Sequence, residues 1–135
     1  MKREEVASLL EQHDIQATRP RIDAAELLMS RKQHVTANQL LDQLNDGRSR
    51  VSRATVYNTL KLFVRQGLIR QIVLDGDKTL YDSNTSDHHH MYNLDTGELT
   101  DIPASALPVA RDLDLPEGTE IEGMDVVVRV RSRSH

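Results

Sequence analysis

The sequence predicts an α+β protein of two small domains: an N-terminal helical domain that ends in a β-hairpin, and a small C-terminal α/β domain. Apolar residues recur at helical spacing as far as Gly67, and short β-branched segments separated by turn residues follow. Residues 1–70 carry a net charge of +4 (12 Lys/Arg, 8 Asp/Glu), whereas residues 71–135 carry −8 (5 Lys/Arg, 13 Asp/Glu). We place the domains at 1–82 and 88–135, with a hinge at 83–87.

The N-terminal domain has the order of elements of a winged helix-turn-helix. Four helices are predicted, at 2–13, about 19–30, 37–46 and 53–66. The segment 32–35 shows no periodicity and is predicted to be a loop. Strands at 69–74 and 79–82 follow, joined by a turn that contains an Asp-Gly pair at 75–76. The alternative is a generic small α+β domain, which the basic fourth helix disfavours.

The C-terminal domain is predicted to be a three-stranded sheet with one helix. The strands fall at 88–94, 98–102 and 124–131, and a short helix at 104–113 is limited by Pro108. Such a sheet is too small to bury both faces alone, so we expect a homodimer. No segment is long and apolar enough for a membrane span and none resembles a signal peptide, so we expect a cytoplasmic protein.

The fourth helix has one apolar face and one basic face. Ser52 is a good N-cap and Gly67 a good C′ residue. Val56, Leu60 and Phe63 recur at helical spacing and form the predicted core face. The other face is cationic and hydrogen-bonding, with Arg53, Tyr57, Asn58, Lys61 and Arg65. No acidic residue occurs from 47 to 74, so this helix is predicted to bind nucleic acid. The alternative is a solvated basic surface.

A cluster of histidines and carboxylates marks the start of the C-terminal domain. In a strand, His88 and His90 point to one side of the sheet and His89 to the other. Carboxylates surround them in the sequence, at Asp82, Asp87, Asp95, Glu98 and Asp101. Because the chain has no cysteine, all donors are nitrogen or oxygen, which suits Fe²⁺, Mn²⁺ or Zn²⁺. The alternative is a solvated polar strand that binds metal weakly.

The sequence disfavours an enzyme. A His/Asp zinc site can activate water, so a metal-dependent hydrolase is the competing class. However, there is no H-E-x-x-H motif, no Ser-His-Asp order and no phosphate-binding glycine loop.

Three motifs together resemble the ferric uptake regulator (Fur) superfamily: residues 15–21 (IQATRPR), 52–60 (SRATVYNTL) and 85–90 (TSDHHH). The resemblance covers nearly the whole chain. The lack of cysteine and the short C-terminus with LPEG and VVVR are most similar to the Irr-type iron response regulators. The resemblance implies a homodimer that binds an operator, as a repressor or activator, under metal control.

The resemblance also implies roles for individual residues. It implies a hinge metal site formed by His34, Asp82, His88, His90 and Asp101. It implies a DNA interface with Arg21 as a phosphate contact and Tyr57 as a base contact, and with Arg53, Thr55, Asn58 and Lys61 as neighbours. Because one ion would hold groups from both domains, its occupancy would fix their relative orientation and select a DNA-competent dimer.

Three departures from the family pattern qualify this prediction. The cysteine pairs that bind structural zinc in many members are absent. Gln16 replaces a basic residue that enters the minor groove. A second metal site would use Asp87 and His89, but Pro108 and Asp125 stand where its other ligands are expected. The sequence is compatible with three regulatory signals: metal ions, haem bound by the histidines, and peroxide that oxidises a histidine ligand through bound iron.

Overall fold

The computed structural model describes residues 2–30, 34–46, 51–74, 78–83, 88–108, 112–121 and 124–133. The predicted Asp-Gly turn and residues 84–87 of the predicted hinge, Asp87 among them, lie outside the described residues. The chain separates into two compact units, Met1–Thr85 and Ser86–His135. Within the described part of the chain, no helix is long and apolar enough to cross a membrane.

In the described part of the first unit, four helices pack around one core. They are α1 (Arg3–Gln12), α2 (Arg19–Met29), α3 (Ala37–Asp46) and α4 (Arg53–Arg65). Each helix contributes the apolar side chains of one face, among them Val6, Leu10, Ala25, Leu28, Leu40, Val56, Leu60 and Phe63. Full burial of a large aliphatic or aromatic side chain contributes about 1.5–3 kcal/mol. The core therefore fixes which side of α4 remains exposed.

A left-handed residue ends α1. Asp14 has a φ of 58°. Its amide donates to Glu11 O, and the amide of Ile15 donates to Leu10 O at 2.9 Å, which is the bonding pattern of a Schellman cap. Glycine normally occupies this position, because a Cβ disfavours the left-handed conformation. An aspartate charge at a helix C-terminus also opposes the helix dipole.

We expect Asp14→Gly to raise the free energy of unfolding by about 0.5–1 kcal/mol, because it removes both penalties. Chemical denaturation of the purified protein measures the change. Glu11→Gly is the matched control, since Glu11 is an exposed residue inside α1. There glycine should lower the free energy of unfolding by about 0.5–1 kcal/mol. A loss of stability in both variants would contradict the assignment of strain to Asp14.

A three-stranded antiparallel sheet completes the first unit. Its order is β1-β3-β2, with β1 at His34–Val35, β2 at Arg70–Val73 and β3 at Thr79–Asp82. The predicted hairpin is β2 and β3, and the order of elements confirms the winged helix-turn-helix. The predicted loop at 32–35 is wrong for its last two residues, which pair with β3. Two residues are too few to show alternation, so their strand conformation comes from bonds to β3.

The second unit is built on a sheet of order β5-β4-β6. Its strands are β4 (His88–Asn93), β5 (Leu99–Pro103) and β6 (Val127–Val130). β4 and β5 form an antiparallel hairpin, whereas β6 runs parallel to β4. The hairpin turn is closed by Asn93, whose Oδ1 accepts from the amides of Asp95 at 2.9 Å and Thr96 at 3.2 Å.

Two boundaries in the second unit differ from the prediction. The predicted helix at 104–113 is wrong: Ala104–Ala106 forms one 3₁₀ turn, and residues 107, 108, 112 and 113 are not helical. Pro108 cannot donate a backbone hydrogen bond and disfavours helix in the residue before it. The last strand is Val127–Val130 rather than 124–131, because only these residues pair with β4 in the sheet.

Candidate metal and DNA-binding sites

The start of α4 is held by its N-cap. Ser52 Oγ accepts from the amide of Thr55 at 3.1 Å and lies 2.9 Å from Thr55 Oγ1. The cap therefore uses the Thr55 hydroxyl, which sequence reasoning had placed in the DNA interface.

The exposed side of α4 carries the residues predicted to contact DNA. Arg53, Asn58 and Lys61 are exposed, and Tyr57 is 45% exposed, although a tyrosine ring is costly to leave in water. Burial, and secondly the electrostatic effect of Tyr57, raises the pKa of Tyr81 in β3. The Tyr57 hydroxyl can donate as well as accept a hydrogen bond.

Arg21, the predicted phosphate contact, makes a bond within its own unit. Its Nη1 donates to Gln16 O at 3.1 Å, and the same carbonyl accepts from the amide of Thr18 at 2.9 Å. The guanidinium therefore holds the turn that precedes α2. This bond uses one of the five N–H groups of an arginine, so the charge and the other donors can still meet a phosphate.

In the first unit, one buried carboxylate lies beside a histidine. Asp82 is 1% exposed, and its Oδ2 lies 3.3 Å from His34 Nε2. In the sheet, Asp82 is the register partner of His34 on one side and of Arg70 on the other. Cross-strand partners project to the same face, so a cationic side chain also neighbours this carboxylate. A buried carboxylate needs such partners, because desolvation penalises its charge.

In the second unit, two imidazoles meet one carboxylate. Asp101 Oδ1 lies 3.7 Å from His88 Nε2 and 3.6 Å from His90 Nε2. His90 and Asp101 are register partners on β4 and β5, and the two rings pack edge to face with centroids 4.6 Å apart. Two donors bound to one ion at about 2.1 Å lie about 3–3.5 Å apart, so each group has nearly the spacing of metal ligands.

His89 serves a different contact. Its Nδ1 accepts from the amide of Val126 at 3.1 Å, which places the ring proton on Nε2. The bond ties β4 to the residue that precedes β6. His89 therefore stabilises the parallel strand pair, on the face opposite His88 and His90 as the strand period predicts.

Two residues beside the predicted site residues were not predicted from the sequence: Arg70, which lies opposite Asp82, and Asn38, which contacts Arg53. Arg70 was counted only as part of the basic segment, since its position opposite Asp82 depends on strand register. Asn38 received no role, yet its Oδ1 accepts a hydrogen bond from Arg53 Nη1. His34 was found only through the family resemblance, because a single histidine in a loop carries no pattern of its own.

Comparison with known proteins gives a consistent result. The model of the ferric uptake regulator family matches residues 12–128. The peroxide-responsive repressor PerR of Staphylococcus aureus strain Mu50 is 29% identical over 99 residues, which cover 73% of this chain and 67% of that protein. The ferric uptake regulator of Pseudomonas aeruginosa, solved with manganese, has a TM-score of 0.75 and 27% identity over 94% of this chain and 97% of that one. The ferric uptake regulator of Francisella tularensis, solved with iron, has a TM-score of 0.69 and 22% identity over 88% and 92%.

Proposed function

This chain belongs to the ferric uptake regulator family of transcription regulators, and we propose on that basis that it represses its target genes by binding an operator when a divalent metal ion is bound. The chain is a regulator and not an enzyme.

We propose that one ion takes its ligands from His34, Asp82, His88, His90 and Asp101. The observation that carries this is the position of Asp101 Oδ1, within 3.7 Å of the Nε2 atoms of both His88 and His90. The pair of His34 and Asp82 in the first unit supplies the same donor chemistry. Imidazole with carboxylate suits Fe²⁺, Mn²⁺ and Zn²⁺. An ion that takes ligands from both domains would restrict their relative orientation, and so favour the form that fits DNA.

The DNA-binding form is proposed to be a homodimer in the cytoplasm, with one α4 helix per protomer in the major groove of double-stranded DNA. Arg53, Tyr57, Asn58 and Lys61 would face the groove, supported by the exposure of this side of α4. Arg21 would contribute a phosphate contact from the first turn of α2, and Thr55 would contribute from the first turn of α4 itself. The second unit would form the dimer interface, because a three-stranded sheet needs a further layer to cover it.

The signal is proposed to be the availability of a divalent metal, with peroxide as a second input. Relatives named as ferric uptake regulators and as a peroxide-responsive repressor support these two inputs. In this proposal the histidine ligands would hold Fe²⁺, which would supply the redox chemistry by which peroxide oxidises one of them; Mn²⁺ or Zn²⁺ would not supply it. The alternative is an Irr-type regulator that binds haem through His88–His90. Mass spectrometry of the histidines after peroxide treatment, and haem titration, distinguish the two.

Replacement of the reading side chains tests the DNA contacts. We expect Tyr57→Phe or Arg53→Ala to weaken operator binding by about 1–3 kcal/mol if the lost group touches a base edge. Fluorescence anisotropy with labelled operator DNA measures the affinity, with Arg133→Ala as a control for loss of one positive charge in the second unit. Steep salt dependence of wild-type binding is expected, because phosphate neutralisation releases counterions. If Tyr57→Phe or Arg53→Ala binds the operator with unchanged affinity, the replaced group does not contact the DNA.

A further inference from the structure

Two asparagines of α3 bond to the segment that begins α4. Asn38 and Asn45 are seven residues apart, nearly two helical turns, so they lie on the same side of α3. Asn38 Oδ1 accepts from Arg53 Nη1, and Asn45 Oδ1 accepts from the amide of Val51 at 2.9 Å. One asparagine thus holds a side chain of α4, and the other holds the backbone just before its N-cap.

The first turn of α3 is itself held in place. The amide of Gln39 donates to Thr36 Oγ1 at 3.1 Å, and the amide of Thr36 donates to Gln39 Oε1 at 2.9 Å. These reciprocal bonds form a capping box. Asn38 lies within this capped turn, so its amide is presented from a fixed backbone. Ser52 caps the first turn of α4, where its hydroxyl accepts from the amide of Thr55. The bond from Arg53 to Asn38 therefore joins two ordered helix starts.

The hydrogen bond to Asn38 restricts the conformations of the Arg53 side chain. A free arginine side chain loses rotamer entropy when it is immobilised. A bond to Asn38 removes part of that freedom before DNA arrives. It occupies one hydrogen of Nη1, and a guanidinium has five N–H donors in a planar fork. Fixing one edge of the fork orients the remaining donors, which is what a bidentate contact with a base or phosphate requires.

We infer that Asn38 is a positioning residue for Arg53, and that it raises the preference of α4 for its operator over other DNA without contacting the DNA itself. This inference rests on the proposed function, because it requires that α4 binds DNA. Asn45 has the separate task of fixing the approach of the chain to the N-cap, through the backbone of Val51.

A double-mutant cycle tests the inference. Full-length, metal-loaded wild type, Asn38→Ala, Arg53→Ala and the double variant are titrated with operator DNA and with a scrambled duplex of equal length. We expect Asn38→Ala to weaken operator binding about three- to tenfold in the wild-type background, and less than about twofold when Arg53 is already alanine. Binding to the scrambled duplex should change little, so the ratio of the two affinities falls.

Further variants separate positioning from other roles. Asn38→Asp keeps the acceptor oxygen, so it should retain the ratio of operator to scrambled affinity, although its charge weakens binding to both duplexes. An equal effect of Asn38→Ala in both backgrounds would show a direct DNA contact and overturn the inference, as would no effect in either. If wild type shows no preference for any operator in any metal state, the proposed function itself fails. Thermal unfolding of each variant checks that the fold is unchanged.

Discussion

Asp101→Ala and His90→Ala are each expected to abolish metal-dependent operator binding. Asp101 is the carboxylate that both imidazoles of the second unit approach, at 3.6 and 3.7 Å, so its loss removes a charged donor and the group that orients two others. Loss of even an outer-shell partner costs about 10–100-fold in metal affinity, and loss of a ligand should cost at least as much. Metal titration and operator binding by the same preparation measure both effects.

Asp114→Ala is the matched control, because it removes an exposed carboxylate from the same unit. Asp101 is 38% exposed, so Asp101→Ala should leave the fold intact, whereas His90 is fully buried and its variant also needs a check of thermal unfolding. Unchanged metal-activated binding in both variants would remove these residues from the site. A loss of binding that excess metal fully restores would show reduced affinity at an otherwise competent site.

Phe63→Ala is expected to lower the free energy of unfolding by about 3–5 kcal/mol. Phe63 is the only phenylalanine of the chain, it is fully buried, and it lies on the side of α4 opposite the exposed basic residues. Its removal leaves a cavity where α4 meets the core of the first unit. Because domain stability is typically only 5–15 kcal/mol, operator binding should also decline at 37 °C.

Urea unfolding measures this change, and Phe63→Leu is the control. Leucine fills most of the space, so it should cost less than about 1.5 kcal/mol. A loss below about 1 kcal/mol in Phe63→Ala would mean that the core is not organised around this ring.

The sequence predicts most of the first unit because its signals are local. Ser52 and the spacing of Val56, Leu60 and Phe63 specify α4 without reference to the rest of the chain, and the observed helix begins at the next residue, Arg53. The two strands of the hairpin are likewise recognisable from their own residues. Local signals failed for residues 104–113, where apolar residues suggested a helix that Pro108 prevents.

Contacts between distant residues could not be predicted in this way. The strand at His34–Val35 exists because β3 pairs with it, and the position of Arg70 opposite Asp82 depends on register. The bond between Asn38 and Arg53 depends on how α3 and α4 cross. The histidine cluster was visible because His88 and His90 stand two residues apart on one strand, whereas the approach of Asp101 required the β4–β5 pairing.

The most direct test of metal control is the operator affinity of one untagged, full-length preparation before and after metal is restored. The protein is analysed for metal and haem as purified, treated with chelator, and titrated with operator DNA without metal and with Fe²⁺, Mn²⁺ or Zn²⁺. We predict weak binding after chelation, and recovery with about one equivalent of ion per protomer, to the affinity of the untreated protein. Equal operator affinity with and without metal would contradict the account.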